Sequence, residues 1–318
     1  MKQEYNKPIT TIEEQIDKLE YRGLNIPDRN RAERYLSFIF YYRLSAYFPP
    51  FQLEKDRFNN DVFFDDILST YIFDRELRLL VLDAIERIEI AVRSKICNIV
   101  CEETQDIFWI YDQQYFIPYR SGNKHQHGKI LENIQRIIYV DRNYNNYSET
   151  TPLQHHANKY TNPHKPAVWM VFESLTFGDL SLIYRNLRSR QVRKRIAHEL
   201  GVNQPLLDSW LANFQMIRNI CAHHARLWNR GFGARPARPR NKSILWVSHE
   251  VSSDNQKLYI SLIAIQTILF TISPFSTWAR RLQMLLSKYP NIILSQMGFP
   301  ERWEKDPFWV KALSRESL

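Results

Sequence analysis

The stretch FDDILSTYIFDRELRLLVLDAIERIEIAVRSKICNIVCE, residues 64–102, contains neither Gly nor Pro. Its apolar residues recur mainly at spacings of three and four, the period of one face of a helix. Only Thr70–Phe73 carries enough β-branched and aromatic residues to weaken that pattern. Because Gly and Pro are the residues that most often interrupt helices, the stretch predicts one long helix and favours an all-α fold.

The sequence on either side of this stretch has the same helical period. Thr11 and Glu14 form a capping-box pattern, and Asp28 opens a second helix that Pro49-Pro50 stops. Further helices are predicted at 167–176, 179–187, 191–200, 205–229, 256–273 and 275–289. Irregular segments are predicted at 106–126, 141–165 and 231–243, and 244–247 is compatible with a short strand.

Glycine is scarce, with 8 residues in a chain of 318. Neither GxxxxGK[ST] nor GxGxxG occurs, which excludes a phosphate-cradling loop and a dinucleotide fingerprint. Internal repeats and long linkers are also missing from the sequence. We therefore expect one all-α domain over residues 1–318, a helical bundle with long decorating loops and additional helices. It has an N-terminal helical part at 8–104 and a motif-bearing helical part at 165–290.

Cysteine usage and apolar runs predict the compartment. The three Cys residues show no CxxC spacing, which argues against a disulfide framework and a thiolate zinc site. The longest apolar stretch, Leu258–Ile272, is shorter than the roughly 18–20 residues of a membrane span. Two histidine pairs lack a third ligand at a fixed spacing and are interpreted as surface residues, namely His125/His127 and His155/His156. We expect a cytoplasmic protein without metal, cofactor or membrane segment.

The chain is basic, with 43 Lys and Arg against 34 Asp and Glu, a net charge of +9. Such an excess points to polyanionic partners, nucleic acid first. Much of the charge falls in two runs that contain no acid. The first run comprises Arg185, Arg188, Arg190, Arg193, Lys194 and Arg195. The second run comprises Arg226, Arg230, Arg235, Arg238, Arg240 and Lys242.

Each cationic run is either a solvated face or a phosphate-binding surface. Two acid-free runs in one basic chain favour phosphate binding. The Gly and Pro residues of the second run keep it non-helical and predict a flexible loop that follows an irregular RNA backbone. Trp228 and Phe232 are then candidates to stack on unpaired bases.

The segment RNICAHHARLWNR, residues 218–230, carries the residues suited to chemistry. RNA cleavage by 2′-OH attack needs a base, an acid for the 5′-oxygen and a cation for the non-bridging oxygens. Histidine titrates near neutrality, and arginine offers a permanently charged fork. Arg218, Asn219 and His223 are therefore the candidate catalytic residues. The neighbouring candidates for RNA contact are His224, Arg226, Trp228, Asn229 and Arg230.

The spacing within this segment constrains its geometry. Asn219 and His223 are four apart and share a helix face, so the amide can orient the imidazole. Arg218 and His223 are five apart, about 140° around a straight helix, and do not converge. A helix break after Cys221, or pairing across a two-fold axis, would bring them to one cleft. The apolar residues expected at such a homodimer interface are Trp210, Phe214 and Leu227. The competing interpretation is a polar stripe that satisfies neighbouring helix ends.

Four further residues have two interpretations each. Glu86, Glu89 and Arg93 lie on the long helix, where Glu89 and Arg93 form an ordinary i,i+4 pair. Alternatively, a carboxylate of this group neutralises or orients Arg218 in the absence of RNA. Arg43 sits among tyrosines, where it packs in the core or contacts RNA.

The chain resembles the bacterial abortive-infection (Abi) family, in its AbiD/AbiF-like branch. The resemblance covers about residues 5–280. The stretches that carry it are Tyr5–Ile9, Phe40–Tyr47, Phe73–Arg78, Ile85–Arg93 and, most specifically, Arg218–Asn229. The family is placed in the HEPN superfamily, which has an all-α core and an R-x(4–6)-H motif. The resemblance implies that Arg218 and His223 are catalytic, with Asn219 as the polar residue after the Arg.

By the same resemblance, the expected function is a phage-defence toxin acting as a metal-independent, homodimeric endoribonuclease. Some HEPN toxins continue R-x4-H-x-Y and are controlled by modification of the Tyr, but position 225 is Ala. AbiF-like proteins imply a cognate structured noncoding RNA as a partner, which suits the cationic runs. The alternatives are a non-catalytic RNA-binding module and a scaffold that binds another protein through its aromatic surface.

Overall fold

The computed structural model describes residue 4 and residues 8–118, 126–143, 151–248 and 256–314, leaving aside the side chains of 139–143. Two features of the sequence analysis, Tyr5–Lys7 and His125, lie outside the described residues. The described chain is almost entirely helical, which confirms the all-α prediction.

Thirteen α-helices are present in those residues: α1 (Ile12–Tyr21), α2 (Arg29–Ile39), α3 (Tyr41–Ser45), α4 (Phe64–Thr104), α5 (Gln126–Asn143), α6 (Pro152–Lys159), α7 (Val168–Ser174), α8 (Phe177–Asn186), α9 (Arg190–Glu199), α10 (Gln204–Ala222), α11 (Leu258–Ile272), α12 (Trp278–Lys288) and α13 (Pro307–Leu313). The strands β1 (Gln52–Glu54) and β2 (Arg57–Phe58) pair antiparallel as a hairpin. Single 3-10 turns occupy Pro49–Phe51, Trp109–Tyr111, Gln113–Tyr115, Leu294–Met297 and Trp303–Lys305.

The long helix α4 forms as predicted, and Thr70–Phe73 does not interrupt it. The predicted helix 205–229 is too long, because α10 ends at Ala222. The irregular segment predicted at 141–165 is wrong in part, since Thr151 caps α6 through a capping box. The strand considered at 244–247 does not form, and the Leu245 carbonyl there accepts a bond from the Thr267 hydroxyl.

The chain divides into two compact units. The first consists of Met1–Arg78 with Met284–Ile293, and the second of Leu79–Gln283 with Leu294–Leu318. The expectation of one domain over residues 1–318 remains a prediction.

A buried polar network lies in the first unit. Asp74 and Arg78, one turn apart on α4, form an ion pair that is almost completely shielded from solvent. The Tyr47 hydroxyl donates to the same carboxylate at 2.6 Å. Burial and the neighbouring Asp74 charge raise the pKa of Tyr47 well above its ordinary value. Removing either charged partner would leave the other charge buried without its counter-ion, which is costly.

The second unit is built around α10 and α11. α10 packs against α8, α9 and α11, and its apolar face is fully buried at Trp210, Phe214 and Ile217. α11 is buried on every side from Leu258 to Leu269. In the described parts of the chain, no helix combines the length and apolarity that a bilayer crossing requires. The candidate site residues described below lie on α10, whose apolar face is packed in this core.

Candidate functional site

The candidate catalytic residues lie at the C-terminal end of α10. The helix ends at Ala222, and the backbone N–H of His223 caps it by donating to the Asn219 carbonyl at 3.0 Å. The N–H groups of His224 and Ala225 bond to carbonyls of the preceding turn, which is a Schellman motif. His224 has φ +56°, a left-handed conformation usually taken by glycine. The chain therefore leaves the helix directly after His223, close to the break after Cys221 that was one of the two arrangements considered from the sequence.

Burial divides this end of α10 into two faces. Ile217 and Ile220 are in the core, Arg218 is half-buried, and Asn219 and His223 are exposed. Among the described residues, no side-chain hydrogen bond or ion pair joins the three candidate residues to one another. The expected contact between the Asn219 amide and the His223 imidazole is not formed, and the two residues are linked through their backbones instead.

Glu89 of α4 lies beside Arg218. Its Oε2 is 3.8 Å from the Arg218 Nε, and its Oε1 is 3.3 Å from an Nη atom of Arg93. Both contacts considered from the sequence, the helix pair and the approach to Arg218, are therefore present. A separation of 3.8 Å is longer than a hydrogen bond, so Arg218 keeps its donors for another anion. Glu86 is exposed and makes no comparable contact in the part of the chain that the structure describes.

Arg93 holds the end of α7. Its guanidinium donates to the backbone carbonyls of Glu173 at 3.1 Å and Leu175 at 2.9 Å. The last carbonyls of a helix lack intrahelical partners and carry partial negative charge, so a guanidinium there satisfies both needs. Sequence reasoning missed this contact because the two partners are about eighty residues away along the chain.

The second cationic run is anchored on α10 by residues 234–237, which we call the strap. The Asn213 amide donates to the Ala234 carbonyl and the Trp210 indole to the Ala237 carbonyl, each at 2.7 Å. The Ser209 hydroxyl accepts from the Ala237 N–H at 2.8 Å. It also donates to the strap at 3.1 Å, through the backbone carbonyl of residue 235. The loop is non-helical as predicted, and at the strap its backbone is hydrogen-bonded to α10, while its expected flexibility stays a prediction.

The side chains of this run differ in exposure. The exposed cations are Arg230, Arg235, Arg240 and Lys242, and the half-buried ones are Arg226 and Arg238. Trp228 and Phe232 are each only 2 % exposed, so the predicted stacking on bases is wrong for both. Asn229 is half-buried and accepts a hydrogen bond from the Lys257 ammonium at 3.1 Å. His224 is exposed.

The first cationic run lies at the end of α8, in the segment between α8 and α9, and along α9. Arg188, Arg190 and Lys194 are exposed, and within the described residues their side chains have no hydrogen-bond or ion-pair partner. Arg185 is exposed, with its Nε bonded to a carbonyl of its own helix. Arg193 is half-buried, and its backbone carbonyl accepts from the Tyr184 hydroxyl.

Arg195 is the exception in the first run. It contacts Glu102 and Glu103 at 2.7 Å each and Glu199 at 3.4 Å. These three carboxylates compete with a phosphate for the guanidinium, and the assignment of Arg195 to RNA binding stays a prediction. The acids come from another helix and from the next turn, which is why the local sequence looked acid-free.

The comparison with protein families matches the sequence to a known group. A family model described as Abi-like protein matches residues 34–229, more than half of the chain. The chain belongs to the Abi-like protein family. The matched region contains α4 and all of α10, and it ends at Asn229, before the strap. No curated protein and no solved structure matches this Abi-like protein.

Family membership places the protein among abortive-infection proteins of phage defence.

Arg43, the remaining cation considered for RNA binding, belongs to the first unit, where its guanidinium lies 5.8 Å from the Phe40 ring centroid.

The remaining described histidines and cysteines of the Abi-like protein are divided between the core and the surface. His127 and His156 are buried, so their interpretation as surface residues is wrong, whereas His155 is exposed. His127 contacts the Gln113 side chain at 2.8 Å and the Ile110 carbonyl at 2.9 Å. Among the described residues no group of three or more His, Cys, Asp or Glu side chains is arranged to hold a metal.

Cys97 is buried on α4. Burial, with a smaller contribution from Cys101, raises the pKa of the Cys97 thiol to about 12. A thiol that stays protonated at neutral pH is a poor nucleophile. At the C-terminal end of α10, the exposed His223 imidazole and the half-buried Arg218 guanidinium are the groups suited to chemistry.

Proposed function

We propose that this Abi-like protein is a metal-independent endoribonuclease of the HEPN type that acts in phage defence by cleaving RNA. The observation that carries the proposal is the end of α10, where an exposed His223 and a half-exposed Arg218 follow one another across a helix stop. Glu89 holds the guanidinium by a long contact that an RNA phosphate can replace.

The reaction needs no group beyond these side chains. One His223 takes the proton of the 2′-OH, and the 2′-oxygen attacks the adjacent phosphorus. The bond from phosphorus to the 5′-oxygen breaks, and that oxygen receives a proton from a second imidazolium. Arg218 stabilises the charge that develops on the non-bridging oxygens. The products are a 2′,3′-cyclic phosphate and a 5′-hydroxyl, with Asn219 available to hydrogen-bond the RNA.

The need for a second imidazole favours a homodimer as the active unit. An i,i+5 pair diverges by about 140° on a helix, and one imidazole serves poorly on both sides of an in-line phosphate. Two copies across a two-fold axis would supply two His223 and two Arg218 side chains. The residues first considered for the interface are not available, because Trp210, Phe214 and Leu227 are fully buried within the chain. The dimer contact is instead proposed for the exposed edge of α10 around Asn219.

Exposed cations beside the catalytic segment support RNA as the substrate and as a regulatory partner. The strap and the residues after it present Arg235, Arg240 and Lys242 to solvent, next in the chain to the His223 segment. We propose that a cognate structured noncoding RNA occupies this surface and blocks access to His223 until infection displaces it.

A specific observation also favours the alternative, a non-catalytic RNA-binding module. Arg218, Asn219 and His223 make no side-chain contact with one another among the described residues. A binding surface does not require such contacts, whereas a catalytic site needs both groups near one phosphodiester. Cleavage assays separate the two functions directly.

The test is cleavage of a labelled single-stranded RNA by the purified protein in EDTA. We expect cyclic phosphate ends, and a loss of about 10²–10⁴ in rate for His223→Ala and for Arg218→Ala. His155→Ala is the matched control, since His155 is an exposed histidine on α6. Circular dichroism verifies the fold of each variant. On expression in cells, the variants that lose cleavage should also lose toxicity.

Three results would overturn parts of the proposal. Cleavage by His223→Ala at the parent rate excludes His223 as the base, and RNA binding without any cleavage establishes the binding module. Light scattering at micromolar concentration, with and without RNA, tests the dimer. A monomer under both conditions rules out a site shared between two copies.

A further inference from the structure

A cavity of about 360 Å³ opens beside the first cationic run, in the second unit. The end of α4, the turn Gln113–Tyr115 and the segment between α8 and α9 enclose it. Its lining residues are Val100, Thr104, Gln114, Tyr115, Leu187, Arg188, Ser189 and Val192. None of them belongs to the Arg218–His223 segment or to the strap. Its volume is within the range of small-molecule sites, roughly 300–1,000 Å³.

The walls of this cavity are fixed by backbone pairing. Phe116 and Leu187 form an antiparallel bridge, and the Arg188 N–H donates to the Tyr115 carbonyl at 2.8 Å. The Ile117 N–H donates to the Asn186 carbonyl at 2.9 Å on the other side of the bridge. A preformed cavity binds a ligand without the cost of ordering its own walls.

The floor and the rim of the cavity have different chemistry. Val100, Leu187 and Val192 are buried and form an aliphatic floor. Tyr115 is half-buried on the wall, and in the described part of the chain its hydroxyl has no hydrogen-bond partner. The Gln114 amide nitrogen is bonded to Asp112, which leaves the amide oxygen as an acceptor. A ligand that fits this cavity has apolar faces and polar edges.

The mouth of the cavity is cationic. Arg188 lines it and is exposed, and Arg190 and Lys194 follow on the first turns of α9, also exposed. Their side chains are not neutralised by any carboxylate among the described residues, in contrast to Arg195. Uncompensated guanidiniums favour a phosphate, which they bind in a planar fork.

We propose that this cavity is a nucleotide site, with the base between Tyr115 and the aliphatic floor and the phosphate on Arg188. A heteroaromatic base has the flat apolar faces and the hydrogen-bonding edge that the wall requires. An acyl chain would fill the same floor but would form no hydrogen bond with the Tyr115 hydroxyl or the Gln114 oxygen, so it would use only part of the lining. The nucleotide comes either from an unpaired position of a bound RNA or from the free mononucleotide pool. Nucleotide binding at this cavity does not depend on ribonuclease activity.

The experiment is titration calorimetry of the full chain with the four ribonucleoside 5′-monophosphates, with ribose 5-phosphate and octyl phosphate as probes that lack a base. We expect at least one nucleotide to bind ten times or more tighter than either probe. Val192→Phe, which fills the cavity and keeps the cations, should abolish the difference. Arg188→Ala should weaken nucleotide binding by about tenfold, since charge-assisted hydrogen bonds contribute this much. Arg136→Ala, at an exposed arginine of α5 outside the cavity, is the matched control.

A second measurement, the affinity for a short single-stranded RNA, identifies the source of the nucleotide. A fall in RNA affinity for both Val192→Phe and Arg188→Ala assigns the site to an RNA base. Unchanged RNA affinity, with loss of mononucleotide binding, assigns it to a free nucleotide. The proposal is overturned if octyl phosphate binds as tightly as the nucleotides. It is also overturned if no nucleotide binds and Arg188→Ala leaves the RNA affinity unchanged. Because binding is measured directly, either result leaves the assignment of His223 to catalysis unaffected.

Discussion

The attachment of the strap to α10 predicts a measurable effect of Asn213→Ala. The Asn213 side chain is completely buried and donates to the Ala234 carbonyl at 2.7 Å. Loss of a hydrogen bond to a buried group costs about 1–3 kcal/mol. Because one of the four bonds between α10 and the strap is removed, we expect local opening of the strap to become about 5- to 150-fold more frequent.

Hydrogen exchange followed by mass spectrometry measures this opening. The Ala237 N–H, which donates to the Ser209 hydroxyl, reports on the strap in a peptide covering 231–243. Its exchange should accelerate by the stated factor, and the Tm should fall by about 2–4 °C for each kcal/mol of destabilisation. Asn158→Ala, at an exposed asparagine of α6, is the control. Parent-like exchange of this peptide in Asn213→Ala would refute the anchoring of the strap by α10.

Three further predictions concern charges. Changing Arg235, Arg238 and Arg240 together to Ala should weaken the salt dependence of binding to single-stranded RNA. The slope of log affinity against log salt concentration should fall by about 0.7 for each phosphate that is no longer neutralised. An unchanged slope would mean that these three arginines form a solvated surface. Arg93→Ala should lower the free energy of unfolding by about 1.5–3 kcal/mol in urea, because the carbonyls at the end of α7 lose a charged donor, while Arg136→Ala should not. The hydrogen bond from Lys95, together with Arg195, holds the pKa of Glu199 below its ordinary 4.5. This pairing therefore stabilises the fold above pH 4.5, and the stabilisation is lost as the pH falls through the lowered pKa. Glu199→Gln should therefore flatten the dependence of unfolding free energy on pH below 4.5, and an unchanged acid limb contradicts the pairing.

Local sequence was sufficient for α4 and insufficient for the end of α10. The absence of Gly and Pro over residues 64–102 leaves a helix little reason to stop, and it continues to Thr104. The same reasoning extended α10 to Asn229, because no Gly or Pro occurs between Ala222 and Asn229. The helix in fact ends at Ala222, because His224 adopts the left-handed conformation, which only a minority of non-glycine residues adopt.

Interactions between residues distant in sequence account for the errors at the candidate site. An aromatic side chain suits a core as well as a stacking platform, and the sequence does not distinguish them for Trp228 and Phe232. Arg195 is neutralised by carboxylates on α4, more than ninety residues earlier. One signal was available, since Asn213 is a polar residue on an otherwise apolar helix face and so needs a specific partner. The approach of Glu89 to Arg218 was anticipated as an alternative and is present at 3.8 Å.

The fixed strap has a consequence for selectivity among polyanions. A loop that is already ordered gives up little backbone entropy on binding, which otherwise costs roughly 1–2 kcal/mol per residue. The same rigidity prevents its arginines from spreading to match arbitrary phosphate spacings. A flexible arginine tail adapts to any nucleic acid, whereas cations mounted on a fixed backbone favour the strand whose curvature presents phosphates at matching intervals. Under the proposed RNA-binding function, the strap would discriminate RNA by the shape of its backbone and not by its base sequence.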